Sequence, residues 1–180
     1  MLIKKLLLSL PLPEGVAINS SDSNIKVTGP RGELTRHFEH TKIKFNQKEN
    51  KLEIIGKNLK RREKALIGTW RAHLRNMIKG VNHGFLYEMK IVFAHFPMKI
   101  TAKGNLVAID NFLGEKATRT ATICSGANVK VKSDIVTIEG NDIEAVGQTA
   151  GNLEKATIVK GRDTRVFQDG IYLISKGVIE

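Results

Sequence analysis

Residues 51–56 read Lys51-Leu-Glu-Ile-Ile-Gly56, and residues 134–140 read Asp134-Ile-Val-Thr-Ile-Glu-Gly140. Apolar and polar side chains alternate in both stretches, which predicts a β-strand with one buried face. The two closing glycines stand 84 residues apart, and each precedes the one convincing helical pattern in its half of the chain. The recurrence of strand, glycine and helix predicts an internal duplication.

An earlier pair of stretches supports the duplication. These are Asn24-Ile-Lys-Val-Thr-Gly-Pro-Arg-Gly-Glu33 and Asn105-Leu-Val-Ala-Ile-Asp-Asn-Phe-Leu-Gly-Glu115, and both run from a strand pattern into a turn that ends in Gly-Glu. Two copies are too few for a solenoid, which needs about three or more repeats. Several strands followed by one helix, without βαβ alternation, favour antiparallel pairing. We therefore predict an α+β fold of two tandem similar domains, residues 1–82 and 83–180, each a small, mostly antiparallel sheet covered by one long helix.

The first helix is predicted from Lys60 to Val81 because apolar residues recur there at helical spacing. Its apolar arc contains Leu66, Trp70, Leu74, Met77 and Val81. A separate arc is basic and contains Lys60, Lys64, Arg71, Arg75 and Lys79. Such a stripe is either a solvated helix face or a surface that meets successive phosphates, and we favour the phosphate-facing role.

The second helix is predicted to begin at Asn141, where Asn141 and Glu144 have the spacing of a capping box. Its predicted buried face contains Ile143, Val146, Ala150 and Leu153. Several basic residues follow or end this helix close to glycines, a pattern typical of a loop that approaches RNA. They are Lys155, Lys160, Arg162, Arg165 and Lys176.

The composition indicates a polyanionic partner. The 180 residues include 29 Lys and Arg against 18 Asp and Glu, a net charge of +11. Either a nucleic acid or an anionic membrane surface suits such a surplus. Residues 1–83 hold 17 basic and 7 acidic residues, so most of the excess lies in the first half. Aromatic residues make up only 6%, which disfavours base reading on a stacking platform and favours recognition of the shape and backbone of folded RNA.

The sequence contains no pattern typical of an enzyme. It has no phosphate-binding glycine loop, and its single cysteine, Cys124, has no clustered partner that would mark a nucleophile. His37 and His40 are three apart in a strand-like segment, where that spacing places them on opposite faces. We predict no catalytic residue, no metal and no cofactor. The opening Met1-Leu-Ile-Lys-Lys-Leu-Leu-Leu-Ser-Leu10 is interrupted soon afterwards by prolines, which favours a first strand or docked arm over a signal peptide.

Several longer blocks resemble a known family. Asn76-Met-Ile-Lys-Gly-Val81 and Ala94-His-Phe-Pro97 look like the large-subunit ribosomal protein family called six in bacteria and nine in eukaryotes. Three further blocks look like its eukaryotic branch: Asn111-Phe-Leu-Gly-Glu-Lys116, Glu139-Gly-Asn-Asp-Ile-Glu144 and Arg165-Val-Phe-Gln-Asp-Gly-Ile-Tyr172. The resemblance extends over nearly the whole chain, in order.

This resemblance implies a structural constituent of the large, 60S-type subunit that binds folded ribosomal RNA near the sarcin–ricin loop and the stalk base. It implies one copy per ribosome beside neighbouring stalk-base proteins, with no membrane and no small-molecule substrate. The expected place is the cytoplasmic ribosome, with assembly in the nucleus or nucleolus of a eukaryote. The RNA contacts that it implies are at Lys160, Arg162, Arg165, Tyr172, Lys176, Lys116 and Arg119.

Three alternatives remain open from the residues alone: an assembly factor, a scaffold for another protein, and a binder of anionic membranes. A membrane binder should expose apolar residues on a basic helix. An exposed Trp70 would therefore favour that alternative.

Overall fold

The computed structural model describes residues 3–21, 23–48 and 51–179. The chain folds as two compact units, and the first ends at His83 while the second begins at Gly84. The elements of unit 1 are β1 (Ile3–Pro11), β2 (Ala17–Ser21), β3 (Asn24–Gly29), β4 (Gly32–His37), β5 (Ile43–Lys48), β6 (Lys51–Leu59) and α1 (Arg61–Asn82).

Unit 1 consists of two small antiparallel sheets and one helix. The strand orders are β1-β6-β5 and β2-β3-β4, and α1 packs against strands of both sheets. The indole of Trp70 lies inside the core, edge-on to Phe38 at 5.3 Å and stacked on Phe45 at 5.5 Å between ring centroids. Trp70 is therefore buried, whereas an exposed Trp70 would have favoured a membrane binder.

The prediction for the first helix is confirmed to within one residue at each end. Four of the five residues of its predicted apolar arc are buried, and Leu66 is partly buried. Ile67 and Ile78 widen the buried face beyond the predicted arc. Among the described helices, none is both long and apolar enough to cross a membrane.

Unit 2 repeats this plan and adds one strand. Its elements are β7 (Phe85–Val92), β8 (Lys99–Lys103), β9 (Leu106–Asp110), a 3₁₀ turn (Phe112–Gly114), β10 (Arg119–Thr122), β11 (Ala127–Lys132), β12 (Ile135–Gly140), α2 (Ile143–Ala156) and β13 (Gly170–Val178). The strand orders are β11-β12-β7-β13 and β10-β9-β8, again antiparallel.

The two strand orders confirm the duplicated α+β fold. The order β1-β6-β5 in unit 1 recurs as β7-β12-β11 in unit 2, and β2-β3-β4 recurs as β8-β9-β10. In both units the helix follows the central strand of the first of these sheets. Strand β13 lies on the other edge of β7 and has no counterpart among the described strands of unit 1.

The glycines that close the two decisive stretches have a packing role. A Cβ atom on Gly56 would lie 2.7 Å from Ile67 Cδ1, and one on Gly140 would lie 2.8 Å from Val146 Cγ2. Real Cβ atoms do not approach that closely, so each glycine lets the following helix pack against its strand. The repeated glycine is therefore a requirement of the repeated helix–strand contact.

The N-terminal cap of α2 differs by one residue from the predicted cap. The α2 helix begins at Ile143, and its N-cap is Asp142, whose Oδ1 accepts from the Glu144 amide at 2.9 Å. The predicted cap at Asn141 was therefore wrong by one residue, because sequence spacing alone does not distinguish adjacent capping side chains. The residue types Lys48-Glu49-Asn50 predict a turn between the flanking strand patterns, but Glu49 and Asn50 lie outside the described residues.

Candidate nucleic-acid interface

The basic stripe of α1 lies on the surface of unit 1. Its five side chains are exposed, and none forms an ion pair with a described residue: Lys60, Lys64, Arg71, Arg75 and Lys79. The nearby Glu63 carboxylate instead accepts from the Lys42 ammonium at 2.8 Å and from the Lys60 amide. The Lys42 hydrogen bond is the main cause that lowers the pKa of Glu63. At 1.5 Å per residue, the stripe presents cations over about 28 Å.

Three loops of unit 2 are tied together by side-chain hydrogen bonds, and we call them the three-loop cluster: residues 93–98, 111–118 and 157–169. The Asn111 amide donates to the Pro97 carbonyl at 3.0 Å, which joins the first two loops. The His95 imidazole contacts the Asp169 carboxylate at 2.9 Å, which joins the first and third. These bonds give three surface loops a defined arrangement.

Arg119 joins the second and third loops. Its guanidinium donates from Nε and Nη2 to the Glu115 carboxylate at 2.8 and 2.6 Å. Its Nη1 donates to the carbonyls of Ala156 and Ile158, and its Cζ lies 4.2 Å from the centroid of the Phe112 ring. The Arg119 hydrogen bond is the main cause that lowers the pKa of Glu115. Four of the five guanidinium donors are thus used within the protein.

The remaining basic residues of the cluster are exposed. Lys116 lies in the second loop, and Lys160, Arg162 and Arg165 lie in the third. Arg162 Cζ stacks 4.8 Å from the centroid of Phe167. Because exposed ion pairs contribute little stability, a phosphate can compete for these cations at low cost.

Arg165 illustrates this competition. Its side chain is 88% exposed and pairs with the adjacent Asp163 at 2.8 Å. That pairing lowers the pKa of Asp163 and raises the pKa of Arg165, in each case chiefly through the side-chain hydrogen bond. The Arg165 guanidinium is charged and can exchange this carboxylate for another anion.

Tyr172 and Lys176 lie on β13, the strand that the duplication does not supply. Tyr172 is half-exposed beside the third loop, and its hydroxyl donates to the Gln168 carbonyl at 3.1 Å. Lys176 lies further along the strand, with its ammonium 5.6 Å from the centroid of Tyr87. Four residues of strand separate them by about 13 Å. The structure therefore brings six of the seven predicted unit 2 residues to the cluster and leaves Lys176 beyond it.

Sequence reasoning missed three residues of the cluster. No spacing in the sequence connects His95 with a partner, yet it pairs with Asp169, 74 positions away. Its ring also stacks on Phe167, with 4.5 Å between centroids. All three residues fall inside blocks that carry the family resemblance, but spacing alone could not pair them. Within the described parts of the chain, no group of three His, Cys, Asp or Glu is placed to hold a metal ion.

Comparison with known families matches the two halves of this chain separately. The model described as "Ribosomal protein L6" matches residues 12–84 and again residues 96–170. Together these segments cover well over half of the sequence, and one falls in each unit. The chain belongs to the ribosomal protein L6 family.

Curated members of the L6 family are similar over almost their whole length. The large ribosomal subunit protein uL6 of Methanobrevibacter smithii is 50% identical over 167 residues, which is 93% of this chain and 94% of the relative. The protein of the same name from Methanothrix thermoacetophila is 43% identical over 175 residues, 97% and 99% of the two chains. The one from Methanococcus vannielii is 46% identical over 167 residues, 93% and 92%.

These three relatives come from archaea, so the comparison does not support the finer prediction of the eukaryotic branch. The L6 family itself, as predicted, is confirmed. The second matched segment ends at residue 170. It therefore includes the second and third loops of the cluster and residues 96–98 of the first, begins just after His95, and stops where β13 begins.

Proposed function

We propose that this L6-family chain is a structural constituent of the large ribosomal subunit, which binds folded ribosomal RNA and catalyses no reaction. The observation that carries this proposal is the double match to the L6 family, one match per unit, with relatives named as large-subunit proteins over more than nine-tenths of the chain. The net charge of +11 supports a polyanionic partner.

We further propose two RNA-contacting surfaces. The first is the three-loop cluster with its extension along β13, in which Lys116, Lys160, Arg162, Arg165, Tyr172 and Lys176 meet the backbone of the RNA. Arg119 acts there mainly by holding the loops, because most of its donors are already used. The second is the α1 stripe from Lys60 to Lys79, whose exposed side chains have no described carboxylate partner. Contacts of this kind position a protein on folded RNA without reading its sequence.

The finer placement follows the family resemblance. We propose that the bound RNA lies near the sarcin–ricin loop and the stalk base, beside neighbouring ribosomal proteins, with one copy of the chain per ribosome. We also propose that the two units correspond to the two domains predicted at residues 1–82 and 83–180. The proposed location is the cytoplasmic ribosome. Assembly in a nucleus or nucleolus would require the eukaryotic branch, whereas the archaeal relatives favour assembly in the compartment of translation.

Sedimentation tests the ribosomal assignment. Cell extract is run on a sucrose gradient with and without a high-salt wash, and the fractions are probed for the chain. We expect it to migrate with the large subunit and polysomes in equal number to the particles, and to stay bound through the wash. A chain found at the top of the gradient, or only with immature particles, would contradict the proposal and favour an assembly factor.

Charge-neutral variants test the two surfaces. Binding to purified large-subunit RNA is measured at several salt concentrations for two triple variants with the same change in charge. The first variant replaces three residues of the third loop by Gln: Lys160, Arg162 and Arg165. The control replaces three exposed strand residues by Gln: Lys5, Lys44 and Lys103. Affinity falls as salt rises. We expect the magnitude of the slope of log affinity against log salt to decrease by about three in the first variant and by less than about one in the control. Equal slopes for both variants would contradict the proposed three-loop surface.

The α1 stripe is tested in the same assay. Lys64, Arg71 and Arg75 become Gln in a third variant, which is compared with the same control. We expect a loss of slope of about three if each cation neutralises one phosphate. An unchanged slope would identify the stripe as a solvated helix face.

A further inference from the structure

His95 is held in the three-loop cluster by a buried carboxylate. Its Nδ1 lies 2.9 Å from Asp169 Oδ2, and the two side chains are 34% and 1% exposed. Asp169 Oδ1 also accepts from the backbone amides of Ala94 and His95, at 2.6 and 3.3 Å. One carboxylate thus holds both the imidazole and the loop that bears it.

The ionisation of Asp169 determines which nitrogen of His95 is available. Burial by itself raises the pKa of the Asp169 carboxyl, but the hydrogen bonds from His95 and from the two amides outweigh it, and that pKa lies below its usual range. An ionised carboxylate can only accept, so Nδ1 of His95 bears the proton. Nε2 is then the free nitrogen, and it has no hydrogen-bond partner among the described residues.

The Phe167 ring contacts both His95 and a permanent cation, Arg162. The imidazole of His95 stacks on Phe167 with an interplanar angle of 27°, and the guanidinium of Arg162 lies 4.8 Å from the centroid of that ring. Among the described residues, the charged groups that contact His95 or its stacking partner Phe167 are therefore Asp169, which holds Nδ1, and Arg162. Beyond them, Glu115 lies close enough for the charge of Arg162 to lower its pKa, after the larger effect of Arg119.

We propose that His95 and Arg162 together bind one phosphodiester group of the RNA, with Asp169 as the positioning residue. The inference rests on the proposed RNA-binding function and deepens it. A phosphate oxygen needs a donor, and Nε2 of His95 donates only when the ring is protonated. Arg162 supplies a planar, permanently charged fork that suits phosphate. Binding the anion therefore takes up a proton, and affinity for RNA rises as the pH falls.

Two substitutions at position 95 separate this role from a merely structural one. In His95→Asn, the side-chain amide can still donate to Asp169 in place of Nδ1, but nothing replaces Nε2. In His95→Gln, an amide nitrogen reaches toward the position of Nε2 and does not titrate. The asparagine variant should thus retain the loop and lose the phosphate donor, and the glutamine variant should retain a donor without pH dependence.

The experiment measures affinity of the full chain for an in-vitro transcript that contains the sarcin–ricin loop of large-subunit RNA. Wild type and both variants are compared at about pH 6 and about pH 8, within the pH range in which histidine side chains in proteins change charge, at constant ionic strength. We expect His95→Asn to bind about tenfold more weakly than wild type near pH 6 and within about twofold of it near pH 8. Its salt slope near pH 6 should be smaller by about one.

The other histidines are present in wild type and in both variants. The difference in pH dependence between wild type and a variant therefore isolates the contribution of His95. Equal ratios of affinity at the two pH values, with wild type still bound in a salt-dependent way, would overturn the two-cation site and leave RNA binding intact. A wild type without salt-dependent affinity for the transcript or for whole large-subunit RNA would overturn the RNA-binding function and this site together. A circular dichroism melt of His95→Asn that matches wild type excludes misfolding as the cause of a loss. If that variant misfolds, His95→Gln decides: pH dependence that equals wild type overturns the site.

Discussion

Replacing Asp169 with alanine should destabilise unit 2, because one buried carboxylate serves three donors. Two of these are backbone amides, those of Ala94 and His95, and the third is the His95 imidazole. Among the described residues, Asp169 is the acceptor that these two amides have, so without it the amides must turn toward water or remain unpaired. The loop that contains them would lose its attachment to the third loop, at the residue directly before β13.

The size of the loss can be estimated from these bonds. A hydrogen bond to a charged group contributes about 1.5 kcal/mol, so the two amides account for about 3 kcal/mol. The imidazole is one-third exposed and adds only about 0.5 kcal/mol after solvent screening. Ala94 and His95 lie at the surface and can regain part of their hydration. We therefore expect Asp169→Ala to cost about 2–3 kcal/mol, and Asp169→Asn, which keeps one acceptor oxygen, to cost about 1 kcal/mol.

The loss should depend on pH in a definite direction. The pKa of Asp169 is lowered in the folded chain, so the ionised carboxylate stabilises the folded state more than the neutral carboxyl does. Its contribution is complete above the unfolded value of about 3.9 and is lost as pH falls through the folded value. Wild type and Asp169→Ala should therefore differ fully near pH 7 and converge below about pH 4.

Amide hydrogen exchange measures the stability of unit 2 separately from that of unit 1. Met89 and Ile171 are buried in unit 2 and report on it, while Ile54 in unit 1 is an internal control. Near pH 7 we expect the free energy of opening at the first two amides to fall and that at Ile54 to be unchanged. A difference below about 0.5 kcal/mol near pH 7, or one that persists undiminished near pH 3, would refute the reasoning.

Three further predictions concern packing and exposed charge. Leu74→Ala removes a side chain with no exposed surface from unit 1 and should cost about 3 kcal/mol in urea unfolding followed by Trp70 fluorescence; a loss below about 1 kcal/mol would contradict the packing. Gly140→Ala would place its Cβ 2.7 Å from a backbone oxygen and should cost about 2 kcal/mol of stability. Gly151→Ala has no neighbour within 4 Å of the new Cβ and should stabilise α2 by about 0.5–1 kcal/mol. Thermal melts that rank the two variants in reverse would contradict this packing. Arg165→Gln should leave the thermal stability nearly unchanged, because its ion pair is fully exposed, and still reduce the salt slope of RNA binding by about one; an unchanged slope would remove this residue from the interface.

Much of the fold could be predicted because its signals are local. Helix α1 is specified by apolar residues at helical spacing within about 20 positions, and its two ends were predicted to within one residue. The duplication was visible because Gly56 and Gly140 occupy the same place in each repeat, and the packing of Ile67 and Val146 explains why both are glycine. The cap of α2 was misplaced by one residue because Asn141 and Asp142 are both good capping residues.

The candidate site was predictable only in part. Periodicity separated the basic arc of α1 from its apolar arc, so the exposed stripe followed from the sequence. In unit 2 the basic residues could be named but not arranged. Nothing in the sequence distinguished Arg165, which is 88% exposed, from Arg119, whose donors are used inside the protein.

The sequence by itself determined the α+β class, the duplication, the helices and the basic character of the surface, since each depends on residue type within a short window. Only the tertiary structure decided that β13 lies beside β7 and that the three loops come together. That pairing brings His95 within 2.9 Å of Asp169 across 74 positions. A contact between distant residues depends on the packing of the whole unit, and local patterns do not encode it.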